Sequence, residues 1–134
     1  MKYINAILIL LSFIVIIIYT GCKDQITASD VDKVIIPGTN VSYSKYLQPV
    51  FNVKCTSSGC HEDATRAGGL SLTTCANTKE DLSIVVPGYP DNSRLVWAIE
   101  GIGNYPMPPV GYPPLNQNQI QGVKTWIKEG ADCN

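Results

Sequence analysis

Cys55, Cys60 and His61, the only histidine in 134 residues, share one seven-residue run, Cys55-Thr56-Ser57-Ser58-Gly59-Cys60-His61. Two thiols and an imidazole this close in sequence constrain the fold more than any apolar pattern in the chain, because the rest must pack around whatever they hold or whatever joins them. A Cys-x-x-Cys-His run marks a site where haem is attached through two thioethers and the histidine ligates the iron. Here the spacer is four residues instead of two. Cysteines five positions apart fall out of register on a regular helix, so Ser57, Ser58 and Gly59, small and flexible, must loop out to bring the sulfurs together. The alternative is a Cys55–Cys60 disulfide with His61 as an ordinary surface residue.

The beginning of the chain bears on its compartment. Met1-Lys2 precedes an apolar run from Ile4 to Tyr19 and then Thr20-Gly21-Cys22, the layout of a secretory leader. The ending is similar to a bacterial lipobox, with Tyr19 where an aliphatic residue is usual, and predicts a leader over 1–21 and acylation of Cys22. A retained membrane-spanning helix is the alternative, although the run is short for the bilayer core and no basic cluster follows it. Lys23-Asp24 behind the acylated cysteine resembles signals for the outer face of the outer membrane. The expected location is the bacterial cell envelope, on the periplasmic side or the outer-membrane surface. Residues 22–40, with mixed charges and Pro37-Gly38, are expected to be a lipid-anchored tether, and 41–134 a single domain.

Removing the leader takes away Lys2 and no acid, leaving nine basic against eleven acidic residues, a formal charge of −2. With no basic stripe, nucleic acid is not an expected partner. Cys75 and Cys133 remain as an even pair in an oxidising compartment and are expected to bridge. One histidine excludes two-histidine zinc motifs. A zinc site from Cys55, Cys60, His61 and another cysteine, or a Cys–His nucleophilic pair, would leave either unsuitable neighbours or an unexplained thiol. Glu62-Asp63 is expected to be a solvated acidic edge.

Helical spacing of Tyr43, Tyr46, Leu47, Val50, Phe51 and Lys54 predicts a helix from Ser42 or Ser44 to about Lys54, with Pro49 kinking it or marking its effective start. Gly68-Gly69 predicts a tight turn. Asp91, Asn92 and Ser93 offer caps for a helix carrying Leu95, Val96, Trp97 and Ile99. Asn116 with Gln119 predicts a capped final helix whose face is Ile120, Val123, Trp126 and Ile127, closed by Gly130. Between these helices, residues 105–114 hold five of the nine prolines. Proline stiffens this loop, and at its centre stands Met107, the only methionine beyond the leader. A methionine can fill a core gap. In a rigid proline loop downstream of Cys60-His61 it is equally suited to ligate iron opposite a histidine.

Taken in order, Leu47-Gln48-Pro49-Val50-Phe51, Cys60-His61, Gly68-Gly69-Leu70-Ser71-Leu72, Val86-Pro87-Gly88, Ser93-Arg94-Leu95, Met107-Pro108-Pro109 and Trp126-Ile127-Lys128-Glu129-Gly130-Ala131 resemble a small class I c-type cytochrome domain of the planctomycete type. That resemblance implies an all-α fold of a few short helices around one covalent haem c, with first and last helices crossing. It implies thioethers at Cys55 and Cys60, with His61 and Met107 as axial ligands. The expected function is a membrane-anchored monohaem carrier that passes single electrons between redox partner proteins, and not an enzyme. Tyr89, Arg94 and Trp97 are candidates for packing against the haem or reaching a propionate. The rival from another class is a haem-free, disulfide-stabilised surface lipoprotein acting as an interaction module.

Overall fold

The computed structural model describes residues 25–134; the leader and Cys22 lie outside the described residues. Within them are five short α-helices and no strand, an all-α fold: α1 (Ala28–Lys33), α2 (Gln48–Lys54), α3 (Cys75–Thr78), α4 (Arg94–Ile99) and α5 (Gln117–Lys128). None is long and apolar enough to cross a membrane.

The first long helical stretch begins as a π-helical turn, Tyr43–Leu47, and becomes α2 at Gln48. Pro49 explains the change. It has no N–H to donate to the turn before it, and the Gln48 amide instead closes a wide bond to the Tyr43 carbonyl. Ser42 caps the stretch by accepting from the Lys45 amide. Pro49 therefore sets the effective start of α2. The final helix has the expected capping box, in which Asn116 accepts from the Gln119 amide while the Gln119 side chain takes the Asn116 amide.

Tyr43 and Trp126 link these two stretches. Their ring centroids are 5.0 Å apart, and Phe51 sits 6.0 Å from Tyr43 on its other side. All three are buried, and covering a ring of Phe51's size contributes about 1.5–3 kcal/mol. Polar ends are satisfied inside the cluster. The Trp126 indole donates to the Asp132 carbonyl at 2.8 Å, and the Tyr43 hydroxyl meets the Thr78 hydroxyl at 2.7 Å. Leu47, Leu72, Val85, Leu95, Val96, Val123 and Ile127 complete this core.

Packing starts earlier than Val41. The stretch expected as a tether forms α1, whose Val31 is buried with Val50, Leu115 and Ile120 in a second, smaller core. Ile36 is buried against Gly122 of α5, where an added Cβ would stand 2.7 Å from an Ile36 methyl. Asn118 holds both the amide and the carbonyl of Ile36, at 2.8 and 3.0 Å. The mixture of charge and apolar residues that resembled a linker is a one-sided strap: Val31 and Ile36 face the domain, while Val34 and Ile35 stay exposed.

A disulfide joins Cys75, at the start of α3, to Cys133, with Cα atoms 5.6 Å apart and a sequence separation of 58. Closing a loop of that length constrains the unfolded chain by about 4 kcal/mol. Cys75→Ser is expected to lower the unfolding free energy by that order in urea titration, with the loss abolished when both proteins are measured under reducing conditions. Gly122→Ala is expected to cost about 1–3 kcal/mol through overpacking, read in the same titration as a lowered midpoint.

Candidate functional site

The thiol–imidazole run begins where α2 stops. The Cys55 and Thr56 amides both close on the Phe51 carbonyl, at 2.8 and 3.1 Å, so the helix unwinds at Cys55. The chain then doubles back. Cys60 donates its amide to the Ser57 carbonyl at 2.9 Å, and His61 donates its amide to the Cys55 carbonyl at 3.1 Å. Gly59 makes this return possible with φ +85°, a conformation side chains rarely adopt. Ser57, Ser58 and Gly59 are thus looped out and exposed, while Cys55, Cys60 and His61, at the two ends of the loop, are half-buried. The two extra residues of the spacer are absorbed by one turn.

Two acids hold that turn in shape, a role different from the solvated edge expected of them. Glu62 accepts the amides of Gly59 and Cys60, both at 3.0 Å, and the Thr65 hydroxyl. Those bonds, the hydroxyl's foremost, lower its pKa to about 2. Asp63 accepts from the Ser71 and Thr73 hydroxyls and the Asn77 amide at 2.6, 2.9 and 2.9 Å, tying the turn to the segment that leads into α3. Only a three-dimensional fold puts Ser71, Thr73 and Asn77 around one carboxylate, so no local pattern signals it.

The ring of His61 is oriented by Nδ1, which lies 3.3 Å from the Leu70 carbonyl. The Leu72 amide returns to the His61 carbonyl at 2.9 Å. Gly68 and Gly69, with φ +63° and +80°, make the turn that brings Leu70 and Leu72 back across the histidine. A ring N–H held by a backbone carbonyl leaves Nε2 as the free ligating nitrogen.

Cys55 and Cys60 are both free thiols. Burial pushes the Cys55 thiol up to about 12, outweighing the neighbouring Lys54 cation. A thiol that stays protonated at neutral pH is a poor nucleophile, which tells against Cys55 as the nucleophile of a Cys–His pair. Among the described residues, no three of His, Cys, Asp and Glu are grouped to hold a metal ion.

Met107 is half-buried on a different part of the chain, its amide donating to the Ala98 carbonyl of α4 at 2.8 Å. Among the described residues no hydrogen bond links it to the Cys55–His61 turn. Around it the loop displays apolar groups to solvent: Ile102 is 56%, Tyr105 80% and Val110 fully exposed. Half-buried Cys55, Leu70 and Ile99 edge the main core. Two free thiols, an imidazole oriented by Leu70 and a methionine are the donor types that a covalent haem requires.

Tyr89 and Trp97 are spent elsewhere. The Trp97 indole donates to the Asp91 carbonyl at 2.6 Å. Tyr89 borders an open groove of about 570 Å³ with Asp91, Gln121 and Lys124, which contains none of the four candidate ligands. Arg94 is exposed.

Residues 58–111 match a family model described as Planctomycete cytochrome C. Over this segment, less than half of the chain, the protein is similar to that family. The matched span contains Cys60, His61 and Met107 and begins three residues after Cys55. No curated protein and no solved structure matches the chain.

Lys54, next to Cys55, is the residue whose role the sequence concealed. It falls on the buried face of α2, and its ammonium has no exposure at all. It donates to Asp32 Oδ1 at 2.6 Å, to the Pro114 carbonyl at 2.6 Å and to Gln119 Oε1 at 3.1 Å. The Lys54 bond is the main cause holding the Asp32 carboxyl below its ordinary value of 3.8. A carboxyl lowered by folding stabilises the fold above its ordinary pKa and loses that contribution as pH falls through its lower folded value. Acid titration of unfolding free energy is therefore expected to show a decline below pH 3.8 that is shallower in Asp32→Asn.

Proposed function

We propose that the chain is a lipid-anchored monohaem c-type cytochrome that carries single electrons between redox partner proteins in the bacterial cell envelope. The carrying observation is the closed turn in which the His61 amide returns to the Cys55 carbonyl despite the four-residue spacer, with both thiols free and the imidazole oriented by Leu70. Cys55 and Cys60 would hold the porphyrin, and His61 would ligate through Nε2 while Leu70 fixes the ring. Met107 would be the second axial ligand, presented by a loop braced with prolines.

Bound haem would supply a one-electron iron couple, and histidine with methionine raises its potential. With His61 and Met107 both holding the iron, no position on it would remain for a substrate, which favours transfer over catalysis. Leu70 and Ile99, at the edge of the main core, would offer the haem apolar packing. Cys22 would bear the lipid, and the short distance in sequence from Cys22 to the strap would keep the domain close to the membrane surface. Partners would be recognised transiently and without strong charge, since the exported chain is nearly neutral.

Expression with a cytochrome c maturation system is expected to give haem that survives acid–acetone extraction, with Cys55→Ser and Cys60→Ser each losing one thioether. Colourless protein after extraction sinks the assignment. Met107→Ala is expected to keep the covalent haem and lose the weak far-red band of iron–methionine ligation; an unaltered oxidised spectrum would assign the distal position to another residue.

A further inference from the structure

Lys54 bridges three parts of the chain that no other single side chain joins in this way. Its Nζ meets Asp32 of α1, Gln119 of α5 and the Pro114 carbonyl. Pro114 ends the loop that carries Met107. At its other end that loop is held by the Ile102 amide on the Trp97 carbonyl at 2.7 Å, and Met107 itself by its amide on Ala98. Leu115, the next residue, is buried against Val31 and Val50. The far end of the loop is therefore secured by α1 and by one ammonium.

That ammonium depends on the strap. Gln119 and Pro114 offer it only neutral acceptors, and Asp32 supplies the one carboxylate in contact with it. Asp32 in turn receives the Gln119 side-chain amide at 3.0 Å. A buried cation that loses its anionic partner is strongly unfavourable.

We propose that Lys54 is a positioning residue for Met107, and that Asp32 on the amino-terminal strap completes it. With Asp32 in place, Nζ pins the Pro114 carbonyl and confines the methionine loop. Without it, the loop end is released while the Cys55–His61 turn, held by Glu62 and Asp63, stays formed. The strap thus couples the segment nearest the membrane anchor to the distal ligand. Met107's part in this rests on the proposed haem function; the pinning of the loop does not.

Hydrogen exchange of the full chain without haem tests the pinning. In Asp32→Ala and Lys54→Met, exchange of the Met107 and Tyr112 amides is expected to rise about ten-fold through local opening, with the Leu72 amide, bonded to His61, unchanged. No rise in either variant, or an equal rise at Leu72, overturns the proposal. In the haem-loaded chain, added imidazole competes with Met107 for the iron, and both variants are expected to bind it about ten-fold more tightly because the competing ligand is less confined. Equal imidazole affinity in variants and parent overturns the role assigned toward Met107. Wild-type protein that acquires no haem would instead sink the proposed function and leave the exchange result standing.

Discussion

One ammonium group, Lys54 Nζ, decides how the outer parts of this small domain fit together. A lysine with no exposure is costly to bury, and three acceptors at 2.6 to 3.1 Å offset that cost only if α1, α5 and the end of the proline-rich loop all arrive at the same point. An apolar residue there would let the three parts slide, since Val31, Val50, Leu115 and Ile120 specify proximity but little direction. Charge and hydrogen bonding supply the direction. The aromatic core of Tyr43, Phe51 and Trp126 has the complementary task of supplying cohesion.

The helices were legible because their signals are local. Asn116 with Gln119, the apolar face of α5 and the missing N–H of Pro49 act within one or two turns, and the structure follows them closely. The pairing of Cys75 with Cys133 followed from counting thiols, and the structure contains that bond. The strap was not legible. Val31 and Ile36 are five apart among charged residues; Val31 is buried by Val50, Leu115 and Ile120, and Ile36 is held by Gly122 and Asn118, more than 80 positions away.

The site divides along the same line. That Cys55, Cys60 and His61 belong together was plain from adjacency, and Gly59 was the visible clue to how a long spacer could fold back. What stabilises the turn could not be seen. Glu62 and Asp63 look like solvent-facing charges in sequence, yet they accept six hydrogen bonds between them from Gly59, Cys60, Thr65, Ser71, Thr73 and Asn77. Short carboxylates of this kind act as spacers for backbone that has no regular structure of its own. Lys54 was similarly hidden, its place on the buried face visible from spacing but its partners scattered from Asp32 to Gln119.

The disulfide divides the candidate ligands in a way that bears on ligand exchange. Met107 lies inside the ring closed by Cys75 and Cys133, whereas Cys55, Cys60 and His61 lie outside it. A methionine held in a covalent ring stays at high effective concentration relative to the rest of the domain even when its loop opens, because its chain is tethered on both sides. Dissociation of such a ligand is a brief excursion followed by recapture, and a competitor from solution must win in that interval. On the proposed function, the bridge would act less as a brace for the resting fold than as a leash on the methionine donor.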